Sequence, residues 1–438
     1  MAGGVVTIER VVAGGAGLAR DEDGRVVFVD GALPGEAVTI RVVDERKDFA
    51  RADVVEVLEP SPARVVPPCP HLAEGCGGCS WQHVEPAAQL ALKVDVVRDA
   101  LRRTAGLPDA PVRPGGAVPA WGYRTSLRLA VAPDGRLGLR RARRHDVVAL
   151  DDCPVAHPLL SELLGRVRAT GPGEVALRVG AATGEATALT VEPRPGSGRA
   201  RRSAGRRAAS AASGLPWDDV SMPAPAPDGR GPSTRTARGA GRSAAGRLVV
   251  PDGVGVGSTA FLDEDVAGAR LRVSAPSFFQ SGPAAAGLLV ATVGAAIGDQ
   301  SGRLVDAYGG VGLFGATVAA AEHEVVLVES SPSACADARV NLAQRRATVV
   351  ESRVEAWAPQ PADAVVADPA RAGLQRDGAA VVAATGARRI VLVSCDPVSL
   401  ARDATLLARH GYALRDTVVL DLFPHTPHVE AVTVFEPC

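Results

Sequence analysis

The chain predicts an α/β fold: a doubly wound, mostly parallel sheet in its C-terminal part, preceded by a small OB-type β-barrel and a small, mainly β central segment. Three observations carry this. From about Ser274 onward, apolar strand-like runs alternate with amphipathic helical ones. The first sixty residues are instead short β-branched runs separated by Gly-rich or acidic turns. Between these regions most of the apolar positions alternate with period two, as half-buried strands do. A length of 438 residues suits two to four domains, and 46% hydrophobic with 22% charged residues is globular composition.

In chain order, VVTIERVV, RVVFVDGAL, AVTIRVVDER and ARADVVEVLE read as the barrel strands of residues 1–60. Pro60, Pro62, Pro67 and Pro68 then break the chain. The central segment, 61–265, opens on a cysteine-rich loop, CPHLAEGCGGCSWQH. A helical stretch, Glu85 to Thr104, follows it, and then strands such as SLRLAVA, DVVAL, EVALRVG and EATALTVE. An insertion at about 194–247 is rich in Arg, Ser, Ala, Gly and Pro and is expected to be disordered. It carries 11 Arg against 3 Asp between Arg194 and Arg247, a local excess hidden within a formal net charge of −1. Such charge could hold RNA through phosphates, and a solvated loop would read the same. In residues 266–438, RLVDAY, EVVLVE, ATVVE, DAVVAD and RIVLVS are strands with helices between them. YALRDTVVLDLF and VEAVTVFE follow with no helix between, as a closing antiparallel hairpin would.

Lysine occurs only at Lys47 and Lys93, against 46 Arg, which reads as GC-rich codon usage. MAGGVVTIER has no apolar core of a secretory signal, and the longest apolar run, Ala284 to Ile297, has 14 residues where a bilayer span needs roughly 20. A cytoplasmic protein without membrane contact is expected. Seven cysteines in such a chain point to metal or catalytic thiols rather than disulfides.

Five motifs carry chemistry. The turn Asp306-Ala307-Tyr308-Gly309-Gly310-Val311-Gly312-Leu313-Phe314-Gly315 follows a strand and opens a helix, and its glycines let a ligand approach the backbone. Glu329 ends the next strand, where an acid can accept from ribose hydroxyls; a dinucleotide and an adenosyl cofactor would both suit. Asp368 in ADPARAG and Cys395 in SCDP close the fourth and fifth strands, at the crevice where open α/β sheets bind ligands. Cys395 also precedes a helix N-terminus, which favours a thiolate. In DLFPHTPHVE, two prolines spoil the geometry of a helical metal site, so Glu430 reads as a general base. Cys69, Cys76, Cys79 and Cys153, spaced C-x6-C-x2-C with the fourth far downstream, can hold a zinc ion or an iron–sulfur cluster.

Together these residues resemble the S-adenosylmethionine-dependent RNA (uracil-C5) methyltransferases over nearly the whole chain. The barrel resembles a TRAM domain, an RNA-binding module, and the C-terminal part a Rossmann-like class I methyltransferase domain. CPHLAEGCGGCSWQH with the later CPVAH resembles the family's iron–sulfur motif. This implies a [4Fe-4S] cluster on Cys69, Cys76, Cys79 and Cys153, with zinc as the alternative. Ser277-Phe278-Phe279-Gln280, DAYGGVGLFG, DPARAGL, SCDPVSLARD and DLFPHTPHVE match further blocks in the family's order. Gly309 stands where the family commonly has Cys.

The resemblance implies that Gln280, Tyr308, Gly310, Glu329 and Asp368 contact S-adenosyl-L-methionine, that Cys395 adds to uracil C6 and that Glu430 removes the C5 proton. A ribosomal or transfer RNA substrate and a monomeric enzyme are expected. The alternative is an RNA-binding protein with an inactive methyltransferase fold, which the joint presence of Cys395 and Glu430 disfavours.

Overall fold

A computed structural model describes residues 4–191, 247–300 and 302–438. The expected disordered insertion at about 194–247 therefore lies outside the described residues, apart from Arg247.

The C-terminal sheet has eight strands, ordered Ala347–Glu351, Glu324–Glu329, Arg303–Ala307, Ala364–Ala367, Arg389–Ser394, Glu430–Pro437, Tyr412–Asp421 and Val112–Ala117. The first five run parallel. Glu430–Pro437 is antiparallel to both of its neighbours, which is the hairpin expected from the sequence. Unbroken apolar runs such as Val325-Val326-Leu327-Val328 and Ile390-Val391-Leu392-Val393 are buried along their length, as strands covered on both faces require. Strand order reverses between Arg303–Ala307 and Ala364–Ala367, so a crevice opens there at the carboxyl ends of the strands.

The eighth strand comes from within the segment that the sequence assigned to the central domain. Val112–Ala117 pairs in parallel with Tyr412–Asp421, and helix Pro86–Ala100 packs beside it. The reason is burial: Val94, Val97 and Ala100 of that helix share one core with Val112, Leu407, Tyr412 and Val419. Period-two patterning is absent from VRPGGA. Gly115 is required there because a Cβ would lie 2.2 Å from Val418 Cγ1.

The N-terminal six-stranded sheet, Val5 to Glu59, curls around Val6, Ile8, Val27, Val29, Val38 and Ile40. The alternating burial of Val26–Asp30 is the expected barrel pattern. Glu36, wholly buried, fastens the strands to the following chain. It accepts from Arg64 and from the Leu33 and Ser61 N–H groups, and although burial opposes ionisation, these donors hold its carboxyl below the usual value. A second six-stranded sheet forms the central part, and the hairpin Phe261–Val266/Ala269–Ser274 leads from it into the eight-stranded sheet. No helix among the described residues is long and apolar enough to cross a membrane.

Candidate active site

The glycine turn begins where strand Arg303–Ala307 ends, with Tyr308, Gly310 and Gly312 all left-handed at φ 59°, 54° and 88°. Glu329 is aimed across it: Oε2 accepts from Gly310 N–H at 3.1 Å, and Oε1 from Ser330 and Ser331 N–H at 2.7 and 2.6 Å. Tyr308 donates its hydroxyl to Glu355 at 3.0 Å. Gln280 Nε2 donates to Asp368 Oδ2 at 3.4 Å, joining the SFFQ segment to the end of strand Ala364–Ala367. The five cofactor candidates thus line the carboxyl ends of adjacent strands or reach them.

Asp306, counted in the sequence only as the start of the turn, is wholly buried. One carboxylate oxygen accepts from Gly315 N–H at 3.0 Å and the other has no hydrogen-bond partner. Burial pushes its carboxyl up to about 8, and nearby Asp368 and Glu329 add to this. An acid inside the run RLVDAY was the available signal.

Cys395 and Glu430 meet through strand register. Ser394 pairs with Ala431 at the end of the antiparallel ladder, and Glu430, just before Ala431, lies near enough to Cys395, just after Ser394, to raise its thiol. Burial pushes the half-buried Cys395 thiol well above its ordinary value, and Glu430 and Asp368 push it further, against Arg371. This corrects the expectation of a thiolate stabilised by the helix N-terminus. That terminus is capped by Asp396, whose side chain accepts from Ser399 N–H at 2.7 Å and also pushes the Cys395 thiol up. Glu430 is held well above the usual carboxylate range by burial and by Asp368; burial raises Asp368 itself to about 7. The thiol and both carboxyls are therefore biased toward their protonated forms.

The segment leading to Glu430 is held by residues that sequence reasoning missed. Lys93 Nζ, wholly buried, donates to Asp421 Oδ1 at 2.5 Å and to Phe423 O at 3.2 Å. Gln89 accepts from His425 N–H at 2.6 Å, Trp121 stacks on the His425 ring at 4.1 Å, and Tyr123 donates to Pro424 O at 3.3 Å. One signal was present, since Lys93 is one of only two lysines and falls in an apolar helical stretch.

Cys69, Cys76, Cys79 and Cys153 come together around one cavity, with His71, Gln82 and Arg124. Burial raises Cys76 to about 11 and Cys79 to about 12, and the thiols raise one another further. Among the described residues, no three Cys, His, Asp or Glu side chains are close enough together to hold a single metal ion. Arg124 links this cavity to the active-site segment, its guanidinium lying 5.5 Å from the Phe423 ring centre.

Family models match the chain twice: a TRAM domain at residues 5–55 and a tRNA (uracil-5-)-methyltransferase at residues 360–436. An uncharacterized RNA methyltransferase of Streptomyces coelicolor is 36% identical over 460 residues, covering 99% of this chain and 92% of that protein. The 23S rRNA (uracil(1939)-C(5))-methyltransferase of Vibrio parahaemolyticus is 31% identical over 461 residues, covering 98% and 95%. Among solved structures, the Pyrococcus abyssi tRNA (uracil-54, C5)-methyltransferase in complex with S-adenosyl-L-homocysteine superposes with a TM-score of 0.66 at 23% identity, over 98% of this chain and 99% of that one. That likeness establishes the class I methyltransferase fold.

Proposed function

The chain belongs to the RNA (uracil-C5)-methyltransferase family, and on that premise we propose that it methylates C5 of a uridine in RNA through a covalent adduct with Cys395. The observation that supports the mechanism is the proximity of Cys395 and Glu430, just past the Ser394–Ala431 end of their ladder and beside the glycine-turn crevice. An inactive RNA-binding protein would not need this pair at the mouth of a cofactor crevice.

S-adenosyl-L-methionine supplies the methyl group as an electrophilic sulfonium. Glu329 would accept from its ribose hydroxyls, Gly310 and Tyr308 would line its crevice, and Gln280 with Asp368 would border the end nearest Cys395. Uracil C5 is a weak nucleophile. Once its proton has been lost to solvent, Cys395 Sγ would add to C6 and give C5 enolate character, so that C5 attacks the methyl carbon as the sulfonium S–CH3 bond breaks and S-adenosyl-L-homocysteine leaves. Glu430 then takes the C5 proton and elimination expels Cys395. A carboxyl held above its ordinary pKa is a stronger base once ionised, which suits this step. The uridine must leave its stack to reach a half-buried thiol, so a single-stranded or flipped target is expected.

Cys69, Cys76, Cys79 and Cys153 would hold a [4Fe-4S] cluster. The four thiols line one cavity, and a zinc ion is the alternative occupant. Methyl transfer needs no electron, so such a cluster would serve architecture. The reading places the enzyme in the cytoplasm as a monomer acting on ribosomal or transfer RNA.

The test is transfer of labelled methyl from S-adenosyl-L-methionine to 23S rRNA and tRNA transcripts, with mass mapping of the product. A 5-methyluridine is expected; label appearing only on other bases or on ribose would refute the reading.

A further inference from the structure

Four of the five residues from Arg140 to Arg144 are arginine, and they form the turn between strands Leu137–Arg140 and Val147–Ala149. Arg141, Arg143, Arg144 and His145 are exposed. The cysteine loop braces this turn through its backbone: Gly77 N–H donates to Arg140 O at 3.0 Å, Ala142 N–H donates to Gly75 O at 3.2 Å, and Cys76 bridges to Arg141. The approach is close enough that a Cβ on Gly77 would lie 2.9 Å from Arg140 O. Arg143, left-handed at φ 59°, reaches Asp53 at 2.7 Å and Asp30 at 3.4 Å on the barrel, so three parts of the chain fix the turn.

The four arginines differ in what they have left to offer. Arg140 is engaged by Glu174 and Arg143 by the two barrel aspartates. Arg141 gives one N–H to Glu74 O, which leaves its charge uncompensated. The Arg144 side chain has no hydrogen-bond or ion-pair partner among the described residues. The barrel, by contrast, holds seven Arg or Lys against twelve Asp or Glu in residues 1–60, so it carries no net positive charge.

We propose that the 140–145 turn is a phosphate-binding surface for the RNA substrate, with Arg141 and Arg144 as its contacts and the four-cysteine loop as its brace. This deepens the methyltransferase reading and rests on it for the identity of the partner. It also gives the cysteine centre a purpose that requires no redox step. A continuous path joins this surface to the chemistry: the cysteine loop, then Arg124 at the shared cavity, then Phe423, whose ring lies 5.9 Å from that of His428, two residues before Glu430.

The experiment is filter binding of a full-length 23S rRNA transcript to the whole protein, with its metal content as purified, at 50 to 200 mM KCl. Removing one Arg–phosphate ion pair should lower the slope of log Kd against log salt by about 1. Arg144→Ala should therefore lower the slope by about 1, and Arg141→Ala with Arg144→Ala by about 2. Arg144→Lys, which keeps the charge, should restore the wild-type slope. Arg409→Ala serves as a charge-matched control, at the end of helix Pro397–Arg409 remote from Cys395, and should leave the slope as it is. Because Arg144 has no side-chain partner to lose, its variant tests the surface without disturbing the brace. An unchanged slope in the double variant would overturn the proposal even if the wild type methylates the transcript. Failure of the wild type to transfer methyl to any RNA would instead remove the methyltransferase reading.

Discussion

Two buried ionisable pairs stand at opposite ends of the ten residues from Asp421 to Glu430. At the start, Lys93 meets Asp421 at 2.5 Å, both side chains essentially inaccessible to solvent. At the end, Glu430 and Asp368 are two acids raised by burial, and Asp368 raises Glu430 further. The first pair is of opposite charge. Desolvation lowers Lys93 toward neutrality, and Asp421 opposes that by attraction and a hydrogen bond. In the second, burial and, at Glu430, the neighbouring Asp368 act in the same direction, so both carboxyls are biased toward protonation. Compensated burial gives a rigid anchor, whereas uncompensated burial gives a group ready to exchange a proton. The fold uses the first to hold the chain that presents the second.

The widest separation between the two ends should appear in catalysis. Cys395→Ala removes the proposed nucleophile and should lower turnover on the order of 10⁴-fold or more, with little change in melting temperature. Glu430→Gln should lower turnover by roughly 10² to 10⁴-fold and accumulate a protein–RNA adduct stable on a denaturing gel. An adduct seen equally with Cys395→Ala would show that another residue is the nucleophile. At the anchor the effect should be on stability. Lys93→Met leaves Asp421 buried without its partner and should cost about 3–5 kcal/mol, read from denaturant midpoints. Replacing both, Lys93→Met with Asp421→Leu, should recover much of that loss, because removing both charges also removes their desolvation penalty. A double variant no more stable than Lys93→Met would show that the loop depends on the Asp421 carboxylate for more than the ion pair, its hydrogen bond from Phe423 N–H being the obvious remainder.

Much of this division was legible in the sequence, and the part that was not has a physical cause. Runs such as EVVLVE and RIVLVS announce doubly covered strands because burial on both faces leaves no polar positions. Glu329, Asp368 and Cys395 could be placed at the crevice because each ends or directly follows such a strand. The anchor was hidden because Lys93 and Asp421 are 328 residues apart, and no local pattern reports a contact of that range. Val112–Ala117 escaped notice because a Pro-Gly-Gly run carries no strand signature; only its fit against Val418 makes it one. The protonation state of Cys395 was misjudged for a similar reason. The helix that follows it is local and visible, whereas Glu430 and Asp368 arrive from other strands and Asp396 takes the helix terminus.

A smaller effect sharpens the comparison within the uncompensated group. Asp306 shares the burial of Asp368 and Glu430 but lies beneath the glycine turn, with one oxygen unpaired. Its carboxyl rises from 3.8 to about 8 on folding. A carboxyl raised in the folded state stabilises fully below the unfolded pKa, and that contribution drains away as pH climbs through the folded value, here between about 4 and 8. Asp368 and Glu430 act with the same sign. The buried histidines act oppositely: His425 and His428, lowered to about 4 and 3, favour folding increasingly as pH rises toward 6.5. Above that value the histidine contribution, to which His83 lowered to about 4 also adds, levels off within about one pH unit, while the raised carboxyls, Glu264 at about 7 among them, go on titrating. Thermal melts between pH 6.5 and 8.0 should therefore show wild-type stability falling with pH. The range stops below the point where the raised thiols Cys76, Cys79 and Cys395 begin to add the same trend. Asp306→Asn cannot ionise, so its melts should fall less steeply over the same interval while keeping the share due to Asp368 and Glu430. Parallel slopes for variant and wild type would mean that Asp306 is already ionised at pH 6.5, and that its unpaired oxygen is stabilised as an anion by the turn above it.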